Sequence, residues 1–229
     1  MRILGIIPSR FASTRLPGKP LINIDGKTMI QRVYEQCTQA KLLNNVVVAT
    51  DCSYIFNSIK HINGNVIMTS SSHENGTSRC IEVVKNLEEE YDYVVNIQGD
   101  EPFIQAEQID ELCNFIIEHK IEIATQIKKE YNLALNQQAN IVKCITDDNV
   151  NAINFTRAEV HLKDNYFFKH IGIYAFRKDI LIEIENLKPT ENEMINNLEQ
   201  LRWLDNNINI KVQLTSYSSK SIDIMSDLN

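Results

Sequence analysis

The loop at residues 8–20 carries three cations, Arg10, Arg15 and Lys19, directly after the apolar run that opens the chain. No acidic residue precedes Asp25, although the whole chain has a formal net charge of −7. Arginine offers a planar fork of donors and lysine a compact point charge, and together they suit a polyphosphate. The position after the first predicted strand favours an anion-binding loop over an ordinary basic surface loop.

A second candidate loop, at residues 73–79, reads His-Glu-Asn-Gly-Thr-Ser-Arg and lies between a predicted strand and a predicted helix. Gly76 has no side chain, so the backbone there can approach a planar ligand closely. Ordinary helix capping is an alternative explanation for His73 and Thr77, and Thr77 is the predicted N-cap. For Arg79 we favour a functional role over a structural one.

The third loop, at residues 98–102, reads Gln-Gly-Asp-Glu-Pro and follows the most apolar central strand. Its carboxylates stand at a turn that Gly99 forms and Pro102 restricts. Mg²⁺ prefers oxygen ligands and usually binds only one or two carboxylates. We therefore predict that Asp100 holds Mg²⁺ against a phosphate and that Glu101 is structural.

Three competing motifs are missing from the sequence. The run Gly26-Lys27-Thr28 imitates the end of a P-loop, but that motif requires a glycine where Leu21 stands. The sequence contains neither a Gly-x-Gly-x-x-Gly dinucleotide fingerprint nor the Asp-x-Asp pair that sugar-donor glycosyltransferases often use for a metal. These absences favour nucleotidyl transfer.

The cationic loop also resembles the signature of a known enzyme family. Its residues Arg10-x-x-Ser13-x-Arg15-x-Pro17-Gly18-Lys19-Pro20 look like those of the 3-deoxy-manno-octulosonate (Kdo) cytidylyltransferases. Further segments resemble the family in order along the chain, at residues 73–79, 98–102, 140–143, 155–157, 170–174 and 198–202. Those enzymes join CTP and the acidic sugar Kdo into CMP-Kdo for lipopolysaccharide biosynthesis and release pyrophosphate.

The resemblance implies roles for individual residues of this chain. The residues expected to bind the nucleotide are Pro8, Arg10, Lys19, Gly76, Thr77, Arg79 and Gln98. The residues expected to bind the sugar are Gln98, Arg157, His170, Tyr174, Glu199 and Gln200. The residues expected to take part in catalysis are Arg10, Arg15, Lys19 and Asp100. Because Kdo carries a carboxylate, its site needs a cation or hydrogen-bond donors, for which Arg157 and His170 are the candidates.

The resemblance also implies a second metal ligand, Asp223, so that Mg²⁺ is expected between Asp100 and Asp223. The chain departs from the family pattern at Ile224-Met225, where relatives have Thr-Pro. It departs again at Lys169, where many relatives have arginine before the histidine. These departures affect the expected sugar specificity more than the expected chemistry.

Composition restricts the class of protein. The five cysteines are scattered and never form a Cys-x-x-Cys pair, which predicts a reducing compartment without disulfides or a zinc site. We predict neither a secretory signal nor a membrane-spanning segment, and therefore a cytoplasmic protein. The overall acidity argues against a nucleic-acid partner.

The elements that must position these loops alternate between strands and helices through the first half of the chain. Strands are predicted at 45–51, 65–69 and 93–97, with helices at 28–40, 53–61, 77–90 and 105–118 among and after them. This order predicts an α/β fold with a mostly parallel, Rossmann-like sheet. The resemblance specifies the nucleotidyltransferase (nucleotide-diphospho-sugar transferase) type. Ligands in such folds bind beyond the carboxyl ends of the strands, where loops 8–20, 50–51, 70–79 and 98–102 are expected to meet.

In the second half of the chain, the sequence predicts three strands that carry binding motifs, at 141–145, 152–155 and 171–176. Helices at 179–186 and 193–204 and a last strand at 210–214 are expected to follow. We predict one domain over residues 1–229. Within it, residues of about 120–215 are expected to form a lid-like subdomain that binds the sugar. The resemblance implies a homodimer, and the same subdomain is its expected interface.

Two alternative functions remain open from the sequence. The first is a cytidylyltransferase for another acidic sugar, such as an amino-Kdo or a sialic acid. The second is a nucleotide-binding relative that has lost catalysis. The retention of Asp100 and Asp223 argues against the second alternative.

Overall fold

The computed structural model describes residues 1–12, 16–162, 164–218 and 222. Two of the predicted site residues, Arg15 and Asp223, lie outside the described residues. No helix within the described residues is both long enough and apolar enough to cross a membrane.

Eleven strands and seven α-helices make up the described part of the chain. The strands are β1 (Ile3–Ser9), β2 (Asn23–Ile24), β3 (Lys27–Thr28), β4 (Asn45–Thr50), β5 (Val66–Met68), β6 (Tyr93–Asn96), β7 (Ile123–Glu130), β8 (Lys143–Thr146), β9 (Ala152–Thr156), β10 (Phe167–Arg177) and β11 (Lys211–Leu214). The helices are α1 (Met29–Cys37), α2 (Ser53–His61), α3 (Gly76–Asn86), α4 (Ala106–His119), α5 (Lys178–Ile184), α6 (Glu191–Asn196) and α7 (Gln200–Asp205).

The central sheet has the strand order β11-β7-β10-β6-β1-β4-β5. Strands β6, β1, β4 and β5 are parallel to one another, and β11 is parallel to β7. Strand β10 runs antiparallel to both of its neighbours, β6 and β7. The prediction of a mostly parallel α/β sheet is therefore confirmed, with β10 as the reversed strand.

Helices cover both faces of this sheet. Helices α1, α2 and α4 pack on one face, and α3, α5 and α7 pack on the other. The central strands are apolar at nearly every position because they are buried on both sides. Parallel strands of this kind bring their carboxyl ends to one edge, which is where the predicted loops meet.

Most elements of the first half agree with their predicted positions within a few residues, and α2 occupies the predicted residues 53–61. Sequence reasoning missed strand β7 and the two-residue strands β2 and β3. The second half of β7 contains the charged residues Lys128, Lys129 and Glu130. They interrupt the apolar pattern of its first half, so the sequence does not indicate one continuous strand.

The predicted helix at 193–204 is wrong as a single element. It consists of α6 and α7, which are separated at Asn197. Asn197 adopts a left-handed conformation with φ of 51°, which ends the first helix and redirects the chain.

The second half of the chain contributes three strands to the central sheet and a further pair of strands at its side. Strands β7, β10 and β11 belong to the seven-strand order, whereas β8 and β9 form an antiparallel pair attached to β10. The β8–β9 pair is therefore the part of residues 120–215 that projects from the sheet.

We expect Phe176→Ala to lower the free energy of unfolding by about 3–5 kcal/mol, because Phe176 is fully buried in the reversed strand β10 against Trp203. Urea unfolding followed by circular dichroism measures the change. The matched control is Phe103→Ala, since the Phe103 side chain is 45% exposed and loses less apolar contact. Equal losses in the two variants would contradict the central position of β10.

Candidate functional site

A cleft of about 260 Å³ opens at the carboxyl ends of β1 and β6. The three predicted binding loops form its walls, since it is lined by Pro8, Ser9, Arg10, Lys19, Pro20, His73, Glu74, Asn75, Gly76, Arg79, Gln98, Gly99 and Asp100. The structure thus brings together residues as far apart in the sequence as Pro8 and Asp100.

The loops can meet because two glycines lie against Pro8. A Cβ atom on Gly76 would lie 3.0 Å from Pro8 Cγ, and one on Gly99 would lie 3.1 Å from the Pro8 carbonyl oxygen. Larger residues at these positions would push the walls apart. Glycine at both positions therefore fixes the width of the cleft.

An ion pair crosses the cleft floor. The Nζ atom of Lys19 lies 2.6 Å from Oδ2 of Asp100, and Lys19 is only 6% exposed. Lys19 begins a short 3₁₀ turn after Gly18, which has the left-handed φ of 70° that glycine tolerates. The N–H of Gly18 donates to the carbonyl of Phe11, so the described ends of the cationic loop are tied together.

Arg10 lies at the rim of the same cleft. Its side chain is exposed, and its guanidinium Nη1 is 3.5 Å from the Glu74 carbonyl oxygen on the facing wall. This long contact leaves the guanidinium largely available to a ligand. Of the three predicted cations, Arg10 and Lys19 are therefore brought together, and Arg15 stays a prediction.

Arg79 lies beneath the cleft and is 2% exposed. Its guanidinium pairs with Asp51 at 2.9 Å and also donates to Thr69 and to the Ser70 carbonyl. These bonds join the ends of β4 and β5 to helix α3. The structure thus gives Arg79 a bracing role, and its predicted contact with a nucleotide stays a prediction.

The N-cap of α3 is Asn75 rather than Thr77, which corrects the sequence-based assignment. The Asn75 side chain accepts the backbone N–H of Ser78. Thr77 already lies within the helix and is free to donate its hydroxyl to Glu199 at 3.0 Å. The predicted nucleotide loop and the predicted sugar helix are thereby linked directly.

The predicted sugar-binding residues gather along β10 and α7, next to the cleft. A Cβ atom on Gly172 would lie 3.4 Å from Cγ of Gln98, so β10 passes beside the cleft wall. The ring of Tyr174 lies 5.4 Å from that of His170 and is buried with Trp203 behind it. Gln200, the first residue of α7, is also buried.

His170 is an uncharged residue in this environment. Its Nε2 lies 3.0 Å from the Thr125 hydroxyl, and its ring packs edge-on against Phe155. Burial lowers the pKa of His170 to about 3. In the ligand-free protein His170 is therefore neutral near pH 7, and its ring can exchange hydrogen bonds with a ligand.

Arg157 lies at the end of β9 and donates to the carbonyl of Ala139 at 3.1 Å. Its own carbonyl accepts from Lys143, a fully buried lysine that also donates to the Gln138 carbonyl at 2.9 Å. Burial, and next the nearby Arg157 charge, lower the pKa of Lys143. The 140–143 motif thus has a structural role in holding the segment before β8, and sugar binding by Arg157 stays a prediction.

Glu199 is the acidic group with the most altered environment near the predicted sugar side. Burial raises its pKa to about 7, while the Thr77 hydrogen bond and the Arg202 charge partly oppose the rise. Arg202 itself is engaged by Glu193 through two bonds of 2.6 and 2.7 Å. Glu199 therefore changes its protonation near neutral pH.

Asp100 has the features that a Mg²⁺ ligand requires. Its side chain is 34% exposed towards the cleft and offers carboxylate oxygens beside the predicted phosphate loop. The described residues contain no cluster of three potential metal ligands, and Mg²⁺ binding by Asp100 stays a prediction. The N–H of Ile222, directly before Asp223 in the sequence, donates to the Asp100 carbonyl at 3.0 Å.

Comparison with known proteins gives the family. A cytidylyltransferase family model matches residues 4–211. The 3-deoxy-manno-octulosonate cytidylyltransferase of Cytophaga hutchinsonii is 42% identical, and the alignment covers 99% of this chain and 94% of the relative. The chain belongs to the 3-deoxy-manno-octulosonate cytidylyltransferase family. The resemblance seen in the sequence is thus confirmed.

Solved structures agree with this assignment. A CMP:2-keto-3-deoxy-manno-octonic acid synthetase complexed with CTP is 33% identical and superimposes with a TM-score of 0.93, covering 100% of this chain and 95% of that one. A 4-diphosphocytidyl-2C-methyl-D-erythritol synthase from Anaerococcus prevotii is 16% identical with a TM-score of 0.67 over 99% of this chain and 94% of that one, which shows the shared fold alone.

The structure adds detail at two residues of the candidate loops, Ser9 and His73. Ser9 is 5% exposed in the cleft wall, and its hydroxyl has no hydrogen-bond partner among the described residues. His73 bonds Glu82 and Ser78, and Glu82 in turn accepts the backbone N–H of Ser70. Helix capping is the alternative explanation for His73 from the sequence, and the structure instead places its ring against the side chains of Ser78 and Glu82 on α3.

We expect the stability of the protein to fall as pH rises through the pKa of Glu199. The folded state raises this pKa above its ordinary value to about 7, so the folded state binds more protons than the unfolded state between these values. The contribution of Glu199 to the free energy of unfolding is fully present below the pKa of the unfolded state and is lost as pH rises through about 7. Glu199→Gln should therefore gain stability relative to wild type, on the order of 2 kcal/mol, between pH 5 and pH 8. Urea unfolding of both proteins at both pH values measures this; a constant difference would contradict the raised pKa.

Proposed function

We propose that the protein transfers CMP from CTP to the anomeric hydroxyl of Kdo, giving CMP-Kdo and pyrophosphate. The product would supply lipopolysaccharide biosynthesis. The observation that carries the proposal is the Lys19–Asp100 ion pair in a glycine-walled cleft at the carboxyl edge of a parallel sheet. Such a site joins a phosphate-binding cation and a metal-binding carboxylate. The family membership supports the same reaction.

The reaction requires binding and charge neutralisation more than covalent chemistry by the protein. The anomeric oxygen attacks the α-phosphorus, the bond to the bridging oxygen of the β-phosphate breaks, and the hydroxyl proton passes to solvent. Arg10 and Lys19 lie where they can hold the phosphates and offset the charge on the leaving pyrophosphate. Arg15 is proposed to add a third cation to this set.

The nucleoside and the sugar would occupy opposite ends of the cleft. Pro8 and Gly76 present backbone and ring atoms without bulky side chains, which suits the flat pyrimidine, and Thr77 and Arg79 support that wall. Gln98 stands between the cleft and β10 and can contact both substrates. On the sugar side, His170, Tyr174, Glu199 and Gln200 are proposed to bind hydroxyl groups.

Asp100, with Asp223 as its proposed partner, would hold Mg²⁺ in this site. The ion, when bound, neutralises phosphate charge and can lower the pKa of an attacking hydroxyl. The Ile222–Asp100 backbone bond supports the pairing because it joins the C-terminal segment to the Asp100 loop.

We further propose a homodimer in the cytoplasm. Exposed large apolar side chains occur in residues 120–215, including Tyr131, Ile145 and Ile153, and their burial against a second chain would stabilise a dimer. The five cysteines are all free, which suits a reducing compartment. Sedimentation equilibrium should give twice the 26.4 kDa chain mass, and a single-chain mass at micromolar concentration would contradict the dimer.

The test of the reaction is turnover with purified protein, CTP, Kdo and Mg²⁺, with pyrophosphate release and CMP-Kdo measured separately. We expect product with CTP and little with UTP, ATP or GTP. A preference for an amino-Kdo or a sialic acid would favour the first alternative function. Nucleotide binding without turnover of any acidic sugar would favour the inactive relative.

We expect Asp100→Asn to lose most of kcat while CTP binding persists through Arg10 and Lys19. The change keeps the side-chain shape but removes the charge that attracts Mg²⁺, so the loss belongs to the reaction step. Turnover across a magnesium titration and CTP binding by calorimetry separate the two effects. The matched control is Asp148→Asn, at an exposed position in the turn between β8 and β9. Unchanged turnover of the Asp100 variant at low magnesium would overturn the metal assignment.

A further inference from the structure

Strand β10 contains a bulge at Gly172 and Ile173, beside the main cleft. The antiparallel register with β7 shifts there, so that these two residues have no partner position on β7. A Cβ atom on Gly172 would lie 3.4 Å from Cγ of Gln98, so the bulge touches the wall of the cleft. Bulges redirect side chains and are common beside active sites. The bulge therefore affects how β10 presents its residues to a ligand.

The hydroxyl of Thr125, on β7, bonds to the backbone of this bulge. Its Oγ1 atom lies 2.7 Å from the Ile173 carbonyl oxygen and 3.1 Å from that of Ile171, and Thr125 is fully buried. Carbonyl oxygens can only accept, and 2.7 Å is the usual length of an O–H···O bond. Two oxygens so close would repel each other without a proton between them. The Thr125 hydroxyl therefore donates its proton to the Ile173 carbonyl.

The third partner of this hydroxyl is the ring of His170. The Nε2 atom of His170 lies 3.0 Å from Oγ1 of Thr125, which is the usual length of an N–H···O bond. The hydroxyl has one proton, and because the carbonyl takes it, the oxygen can only accept from the ring. Nε2 therefore carries a hydrogen. Since burial lowers the pKa of His170 to about 3, the ring has a single N–H and its Nδ1 is unprotonated.

The Nδ1 atom of His170 makes no hydrogen bond with the residues that the structure describes. The ring packs edge-on against Phe155 at 4.9 Å between centroids and lies 5.4 Å from the ring of Tyr174. These contacts and the Thr125 bond hold the plane of the imidazole. An unprotonated ring nitrogen is an acceptor, so the group that suits it on a ligand is a hydrogen-bond donor such as a hydroxyl.

We propose that Thr125 is a positioning residue for the acceptor sugar: its hydroxyl fixes His170 in the Nε2–H tautomer and leaves Nδ1 to accept a hydrogen bond from a sugar hydroxyl. The sugar contact rests on the proposed function, whereas the tautomer does not. Thr125 is fully buried and acts through His170. The same hydroxyl holds the bulge that carries Gly172, so one residue sets both the ring and the adjoining cleft wall.

The first test measures the tautomer by proton–nitrogen NMR correlation spectra of the histidine rings. The chain has five histidines, and the spectrum of His170→Gln assigns the signals of His170. We expect a protonated Nε2 and a bare Nδ1 in the wild type near neutral pH, without any substrate. Thr125→Ser should keep this tautomer, and Thr125→Val should give a mixture. A protonated Nδ1 in the wild type would overturn the inference, even if Thr125→Val does not fold.

The second test compares the KM for Kdo in the threonine variants. We expect Thr125→Val to raise it roughly fivefold to tenfold, because the ring loses one hydrogen bond, while the KM for CTP stays near the wild-type value. Thr125→Ser should retain most of the Kdo affinity. The matched control is Thr215→Val, since Thr215 is also buried and its hydroxyl donates elsewhere, to Glu111 at 2.9 Å. It should leave both constants unchanged.

The double variant of Thr125→Val and His170→Gln separates positioning from general damage. If Thr125 acts through His170, adding Thr125→Val to His170→Gln should raise the KM for Kdo no further. Additive effects, an equal loss of CTP affinity, or an unchanged KM for Kdo in Thr125→Val would each overturn the positioning role. Absence of turnover with every acidic sugar in the wild type would instead overturn the proposed function and with it the sugar contact, while the NMR spectra still decide the tautomer.

Discussion

The site depends on the close approach of three loops at Pro8. This residue precedes Ser9, the last residue of the first strand, and Gly76 and Gly99 pack so close to it that a Cβ atom on either would make an unusually short contact. The two glycines come from loops that follow different strands, so the contact fixes the strand ends relative to one another. The Lys19–Asp100 ion pair and the Gln98–Gly172 contact are both built on this fixed edge.

Although the chain is acidic overall, its basic and acidic residues are unevenly distributed, and the cationic loop of the site lies in a segment without acidic residues. The first 24 residues contain no acidic side chain, so the carboxylate that pairs with Lys19, that of Asp100, comes from another loop. Burial then decides which groups keep their charge, since His170 is neutral, Glu199 is poised near neutral pH, and Lys143 is held by carbonyl oxygens alone. Within the described residues, Arg10 brings an exposed guanidinium to the rim of the cleft, whereas Lys19 is paired with Asp100.

The residues of the site could be predicted from the sequence better than the interactions that hold them in place. The cationic loop, Gly76 and Asp100 could be found because glycine, lysine and aspartate have specific tasks after buried strands. The ion pair between Arg79 and Asp51 could not be predicted, because the two residues come from different loops. The distance between these loops is known only once the order of the strands in the sheet is known. Asn197 and β7 were missed because a left-handed asparagine and a half-charged strand carry weak local patterns. Tertiary packing overrides such signals.

The reversed strand β10 has a consequence for the order in which the sheet can assemble. Strands β1, β4, β5 and β6 can pair once residue 96 has been synthesised. Strand β7 pairs with β10 and β11, both of which come later in the chain, and β10 begins only at Phe167. A growing chain therefore carries β7 as an apolar strand whose sheet partners have not yet been made. Such an exposed edge invites pairing with other chains, and Lys128 and Lys129 within β7 are the kind of charges that oppose it.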